Sequence, residues 1–185
     1  MESRYIPNNL SSLLVLPSPD AYMQEALEDI VTNHRPRDSY EPKMLAGLWH
    51  GPTGLAYLFL HVSAIHPHLK IAGHHALTWA KRYINGSRGH VRLESKHCGI
   101  ASEKLACEAV RASISKDLGH VREFLSCVEA ILNGDYPDEL LYGRAGTLYF
   151  LRMMRHWIPD SAPLVEKAIT AVSQKIMAEG PDWVW

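Results

Sequence analysis

The chain has 185 residues, of which 46% are hydrophobic and 21% charged, a size and composition typical of one globular domain with its own core. Its 19 Lys and Arg residues against 20 Asp and Glu residues give a formal net charge of -1, which offers no electrostatic footprint for nucleic acid or an acidic lipid surface. The sequence has no Cys-x-x-Cys pair, no secretory signal and no apolar run of membrane-spanning length. We therefore predict a cytoplasmic chain without a transmembrane segment, with a peripheral position at a membrane as the alternative location.

Helical periodicity extends over most of the chain. Residues 1–20 hold three prolines among Asn and Ser and predict a loop-like lead-in, whose Asp20 caps a first helix from about Ala21. Apolar residues cover every side of a helix wheel over residues 53–65, which predicts a helix surrounded by protein, whereas residues 71–84 predict an amphipathic helix. Similar patterns predict four further helices, over residues 101–115, 118–132, 147–157 and 162–178.

A pair of glycines three residues apart precedes a run of large apolar residues at "LWHGPTGLAYLFL" (48–60) and again at "LLYGRAGTLYFLR" (140–152). Gly51 and Gly143 are 92 positions apart, and Gly99 lies between them, so the repeat period is near 46 residues. The second glycine of the pair has three equivalent positions, Gly54, Ser102 and Gly146. Such a period with two helices is typical of an α-solenoid or of a closed ring of helix pairs, and a helix that is apolar on all sides favours the ring.

We therefore predict an all-α fold, an incomplete α/α toroid of about three helix pairs plus a leading helix. The helices that begin near Thr53, Ala101 and Ala145 are expected on the inside, and the amphipathic helices outside. The first glycine of each pair is expected to adopt a positive φ at a sharp turn, and the second to let a neighbouring backbone come close.

The two glycine segments, the diverged middle copy "HCGIASEKLA" and the terminal "DWVW" resemble the N-terminal part of the lanthionine synthetase C-like (LanC-like) family, especially its eukaryotic members. The resemblance covers residues 21–185 and implies an α/α toroid domain with a zinc ion at the end of the barrel. It also implies chemistry in which zinc activates a thiol, from glutathione or a peptide cysteine, for addition to a dehydroamino acid. Family members commonly have seven helix pairs, so we expect the natural gene product, or its ancestor, to continue past Trp185.

In the family, the Cys and Cys-His zinc ligands lie in later repeats, and no position of this sequence corresponds to them. The resemblance thus implies a truncated or non-catalytic form without catalytic residues or metal ligands of its own, and zinc and glutathione belong to the full-length family. We expect well under one zinc per chain. The positions just before the first glycine of each repeat, His50, Cys98 and Tyr142, are the candidate binding residues at the barrel mouth. Cys98 is more readily interpreted as a buried structural thiol than as a zinc ligand.

Two further groups of polar residues stand out. The four histidines around the loop after residue 65 are interpreted as solvated side chains rather than as a metal cluster: His66, His68, His74 and His75. Asp135, Asp138 and Glu139 precede the third glycine pair and are expected to cap the next helix or to face solvent.

Two alternative functions remain open. A carbohydrate-active α/α toroid enzyme would need paired carboxylates at the barrel end, and Asp135 and Glu139 are the contributors that the sequence offers. A non-catalytic interaction module is the other, because an incomplete ring exposes apolar flanks that favour self-association.

Overall fold

The computed structural model describes residues 18–179, and most of these residues are helical, which confirms the prediction of an all-α chain. The described residues form eight α-helices: α1 Pro19–Asn33, α2 Pro52–Ile65, α3 Ala76–Asn85, α4 Glu103–Ser115, α5 Leu118–Leu125, α6 Val128–Asn133, α7 Arg144–Trp157 and α8 Ala162–Glu179. They also include two 3-10 turns, Pro42–Met44 and Pro159–Ser161, and two short antiparallel strands, β1 Lys70–Ile71 and β2 His74–His75. None of the helices in this range combines the length and apolar character that a membrane span requires.

The helices pack as three successive pairs. Helix α2 packs on α3, α4 on α5, and α7 on α8, and α4 also contacts both α2 and α7. Helices α2, α4 and α7, whose starts had been predicted from the glycine repeat, are thus neighbours in chain order. The core fills the space between these pairs, where Phe59 stacks on Tyr83 with ring centroids 5.6 Å apart and Phe124 meets Phe150 edge to face.

The first helix begins two residues earlier than predicted, at Pro19. Ser18 rather than Asp20 is the N-cap, because its hydroxyl oxygen accepts a hydrogen bond from the Ala21 amide at 3.3 Å. Asp20 lies in the first turn, where a negative charge interacts favourably with the helix dipole. The predicted lead-in up to residue 17 and the terminal segment "GPDWVW" lie outside the described residues.

Two predicted helices are wrong in part. Residues 71–84 were expected to be helical throughout, but strands β1 and β2 occupy residues 70–75, and the turn between them has positive φ at Ala72 (46°) and Gly73 (80°). The helix therefore starts at Ala76. The predicted helix over 118–132 is interrupted at Ser126 and Cys127 and forms α5 and α6.

The expectation that α2 is surrounded by protein on all sides is wrong. One side, with Ala56, Phe59 and Leu60, is buried, but Leu58 is 37% exposed and Ile65 is 69% exposed. Helix α4 is the more enclosed helix, because it lies between two neighbours and packs on a third. Continuous apolar sequence therefore does not distinguish a helix covered on all sides from one with an open apolar flank.

Candidate functional site

The loops that precede α2, α4 and α7 lie next to one another and are joined through their backbones. The Leu48 amide donates to the Ile100 carbonyl at 2.8 Å, and the Ile100 amide donates to the Leu140 carbonyl at 3.1 Å. The Cys98 amide donates to the Tyr142 carbonyl at 2.6 Å. We call this set of hydrogen bonds the loop ladder. It brings the starts of the three repeats together at one end of the helical assembly.

The glycines of the repeat have different roles from copy to copy. Gly51 has a positive φ of 98°, as expected, but Gly143 has a φ of -109° and Gly99 is not in the left-handed region. The prediction of a shared positive φ is therefore wrong for the second and third copies. The prediction for the second glycine is confirmed at Gly146, where a β-carbon would lie 2.5 Å from both the Gly99 Cα and the Ile100 nitrogen.

His50 is exposed just before α2. It lines a cavity of about 690 Å³ between the end of α1, the 3-10 turn Pro42–Met44 and the first turn of α2. The floor of this cavity is largely apolar and aromatic, with Leu55 and the buried Tyr83 among its lining residues.

Cys98 is fully buried beneath the loop ladder. Its carbonyl accepts a hydrogen bond from the Thr147 hydroxyl at 2.6 Å, which ties the residue to the first turns of α7. Burial raises the pKa of the Cys98 thiol to about 11, so the side chain stays protonated at neutral pH. This environment is that of an inert structural thiol.

Tyr142 lies at the surface, and its ring stacks on His97 with centroids 4.8 Å apart. It borders a second, smaller cavity of about 200 Å³ that includes Trp49 and Glu103. The three residues before the first glycines thus have three different environments: a large cavity, the protein interior and a small cavity. They do not converge on one common pocket, although their backbones are adjacent.

A buried ion pair that the sequence reasoning missed lies beside these loops. Arg88 Nε donates to Glu103 Oε1 at 2.7 Å, and the two side chains are 5% and 4% exposed. The same carboxylate accepts hydrogen bonds from the Thr53 hydroxyl (2.6 Å) and the Gly47 amide (2.9 Å). Burial raises the pKa of Glu103, and the hydrogen bonds from Thr53 and Arg88 act in the opposite direction.

This ion pair joins the start of α2, the loop after α3 and the first turn of α4. A signal for it was present in the repeat register, because Glu103 stands where the other two copies have Leu55 and Thr147. Burying a carboxylate at a position where the other copies have an apolar or small side chain costs free energy unless the carboxylate is paired, which predicts a cationic partner. Nothing in the sequence pointed to Arg88 as that partner.

A second buried arginine, Arg144, is the first residue of α7 and is 1% exposed. Its Nη1 donates to Asp138 (2.9 Å) and to Glu179 at the end of α8 (2.6 Å). It also donates to the Ile131 carbonyl of α6 at 3.3 Å and, in the loop before α7, to the Gly134 carbonyl at 2.8 Å. Arg144 therefore holds the loop, α7 and α8 together, and its register equivalents, Pro52 and Ile100, carry no charge.

The acidic residues before the third glycine pair have separate positions. The Glu139 carboxylate accepts hydrogen bonds from the Leu141 and Tyr142 amides of the loop, both at 2.5 Å, whereas α7 has no side-chain cap, so the expected capping of the next helix is not found. Asp138 is paired with Arg144, and Asp135 is exposed. The Glu139 carboxylate is therefore engaged with the protein backbone, which does not favour it as half of a glycosidase pair.

The histidines around the β-turn remain at the surface. His74 and His75 form β2, and the His74 ring lies 3.3 Å from the Arg82 guanidinium. Among residues 18–179, no group of three or more His, Cys, Asp or Glu side chains is placed to hold a metal ion. Cys98 and Cys107 are buried, and neither belongs to such a group. The described residues therefore do not fit the zinc ion that the LanC-like resemblance implies.

An aromatic groove lies where α2 faces α7. The Tyr57 and Tyr149 hydroxyls are 2.7 Å apart, and the His61 ring contacts Trp157 edge to face at 5.2 Å. Tyr57 and Tyr149 are equivalent positions of the first and third repeats. The groove has a volume of about 420 Å³, and Arg152 also lines it.

No protein-family model matches the sequence, and no curated protein matches it.

Proposed function

We propose that this chain forms three helix pairs of a LanC-like α/α toroid and acts as a non-catalytic part or short form of that architecture. The family chemistry, zinc-dependent addition of glutathione or a peptide cysteine to dehydroamino acids, then belongs to a complete toroid. In this chain the three helix pairs provide part of the wall and the loops at one end of it.

The observation that carries the proposal is the contact between Tyr57 and Tyr149. Packed helices lie about 8–10 Å apart, so the first and third helices of a flat layer would be separated by about 16–20 Å. Tyrosines from α2 and α7 meet hydroxyl to hydroxyl, and the shorter His61 side chain of α2 also contacts the Trp157 ring of α7 at 5.2 Å. Together these contacts support a row of helices that curves toward the Tyr57 side, as the inner helices of a ring would.

Oxidative dityrosine coupling tests this curvature. Photo-oxidation of the native protein should give an intramolecular cross-link between the peptides that carry Tyr57 and Tyr149, detected by mass spectrometry. The cross-link should disappear in Tyr149→Phe. It should persist in Tyr142→Phe, which removes an exposed tyrosine from the loop before α7. Failure of the native chain to form this cross-link would contradict the proposed curvature.

The non-catalytic role is tested separately with a dehydroalanine-containing peptide. The chain is incubated with zinc, glutathione and this peptide, and thioether formation is followed by mass spectrometry. We expect the uncatalysed rate, because the described residues contain no group of three or more His, Cys, Asp or Glu side chains placed to hold zinc. A rate that rises with protein concentration, and that falls when Cys98 is replaced by Ala, would refute this part of the proposal.

The open flank of α2 favours a second candidate function, an interaction module. Leu58 and Ile65 are exposed on one helix, and Trp49 is exposed in the loop before it. We expect the chain to self-associate, and Ile65→Lys to shift it toward the monomer in light scattering coupled to gel filtration. A monomeric native chain would refute self-association.

A further inference from the structure

We propose that the cavity beside the start of α2, here named the His50 cavity, binds a small organic anion with an aromatic or aliphatic body. This proposal does not depend on the LanC-like assignment, since it rests on the walls of the cavity alone. A volume of about 690 Å³ lies within the range of natural small-molecule sites.

The floor of the His50 cavity is suited to an apolar body. Leu55, Pro52 and Met44 supply aliphatic and thioether surface, and the buried rings of Tyr40 and Tyr83 supply aromatic surface. The Tyr83 hydroxyl donates to the His34 carbonyl at 2.8 Å, so the polar end of this ring is already satisfied. Burial raises the pKa of Tyr83 to about 12, and the ring therefore adds no negative charge.

The rim of the cavity carries cations. Arg35, Arg37 and Lys43 line it together with His50, and within residues 18–179 no Asp or Glu side chain is part of the lining. Arg35 and Arg37 place two positive charges at one opening, and Lys43 adds a third that pairs with Glu41 at 2.8 Å, in contrast with the net charge of -1 for the whole chain. The positive potential is thus local to this cavity.

The Arg37 guanidinium is the group best placed to meet an anion. Its Nη1 contacts the Met44 sulfur at 3.8 Å, and a thioether is a weak acceptor that leaves most of the donor capacity available. Arg35 uses its Nε for the Thr32 carbonyl at 3.3 Å, and Lys43 pairs at the surface with Glu41 at 2.8 Å. Guanidinium groups bind carboxylates and phosphates through paired, charge-assisted hydrogen bonds.

The start of α2 adds to this positive potential. Gly51 is the N-cap without a side-chain hydrogen bond, and both Gly51 and Pro52 line the cavity. The N-terminal end of α2, where the helix dipole is positive, therefore borders the same space as the arginines. An anionic group at the rim and an apolar body on the floor would satisfy both halves of the cavity.

Calorimetric titration of the full chain at low salt tests the proposal with three ligands that share a naphthalene ring and differ in their polar group. These are 2-naphthoate, 2-naphthyl phosphate and the neutral 2-naphthalenemethanol. We expect one saturable site that binds at least one of the two anions about fivefold or more tightly than the alcohol, with the preference reduced at high salt. The ratio between the two anions then distinguishes a carboxylate ligand from a phosphate ester.

Variants assign the binding to this cavity. Arg37→Gln should weaken binding of the preferred anion about tenfold and leave the alcohol unchanged, whereas Arg122→Gln, which removes an exposed arginine on α5, should change neither. Lys43→Gln, which removes a side chain that is 80% exposed, provides the same comparison should Arg37→Gln lose its native melting transition. Equal affinity for anion and alcohol, equal effects of the Arg37 and Arg122 variants, or no saturation below about 1 mM ligand would each overturn the proposal.

Discussion

The buried Glu103 carboxylate is predicted to be one of the most sensitive side chains in the protein. It accepts three hydrogen bonds, from Arg88, Thr53 and the Gly47 amide, and neither it nor Arg88 has appreciable access to water. Glu103→Ala leaves the Arg88 guanidinium buried without its counter-charge. Removal of one member of a buried ion pair costs about 3–5 kcal/mol of unfolding free energy, far more than the pair contributes over a well-packed apolar replacement.

The measurement is a double-mutant cycle in urea. We expect Glu103→Leu and Arg88→Met each to lower the free energy of unfolding by about 3 kcal/mol or more, and the double variant to cost clearly less than the sum of the two. For a domain of this size, 3 kcal/mol corresponds to a fall of about 6–12 °C in the melting midpoint. Glu129→Leu, at an exposed position on α6, is the control and should change stability by less than about 0.5 kcal/mol.

Additive single effects would refute this reasoning. They would mean that Arg88 and Glu103 do not share one desolvated site, since coupling is the direct signature of a shared interaction. A single-variant cost below about 1 kcal/mol would have the same force, because it would show that water reaches the remaining charge.

Three further predictions concern packing, thiol reactivity and pH. Gly146→Ala should lower the free energy of unfolding in urea by about 2 kcal/mol or more, because the new β-carbon would clash with neighbouring backbone atoms. Gly73→Ala, in an open turn with a φ of 80°, should lower it by only about 1 kcal/mol. Equal losses would refute the packing argument. Iodoacetamide at mildly alkaline pH should alkylate the half-buried Cys127 before either buried cysteine, such as Cys98, and mass spectrometry of the native protein would expose a reversed order. The pKa of His61 is lowered by partial burial and by a neighbouring histidine on α7, so the unfolded chain binds the extra proton and stability falls as the pH drops from about 6.5 through the folded pKa. His61→Gln should therefore lose less melting temperature than the native chain between about pH 7 and pH 5, and an equal loss would show that the ring is fully solvated.

The helix pairs could be predicted because their determinants are local. Apolar spacing, prolines and glycines fix where most helices begin and end, and the repeat register placed α2, α4 and α7 in equivalent positions. The strands at residues 70–75 could not be predicted in this way. Ala72 adopts a positive φ there, which costs an alanine energy and has no compositional signature. The interruption at Ser126 and Cys127 likewise has no proline or glycine to announce it.

The candidate site was harder to predict because its parts come from distant segments. His50 was correctly placed in the loop before α2, but its cavity depends on Arg37 and Tyr40, which belong to a turn without a recognisable motif. Tyr142 lies at another cavity, and Cys98 is buried, in keeping with its interpretation as a structural thiol. Aligning the repeats predicts which backbone positions are equivalent. The direction of each side chain depends instead on how each copy of the repeat packs.

The loop ladder holds the backbone of the three loops in place independently of the side chains that these loops carry. Its bonds run from amide to carbonyl, through Leu48, Ile100, Leu140, Cys98 and Tyr142, and none of them requires a particular side chain. An imidazole, a thiol and a phenol already occupy the three equivalent places before the first glycines. The side chains at the first and third of these places, His50 and Tyr142, are exposed, so new reactivity could be installed at either by a single substitution without rebuilding the scaffold that presents it.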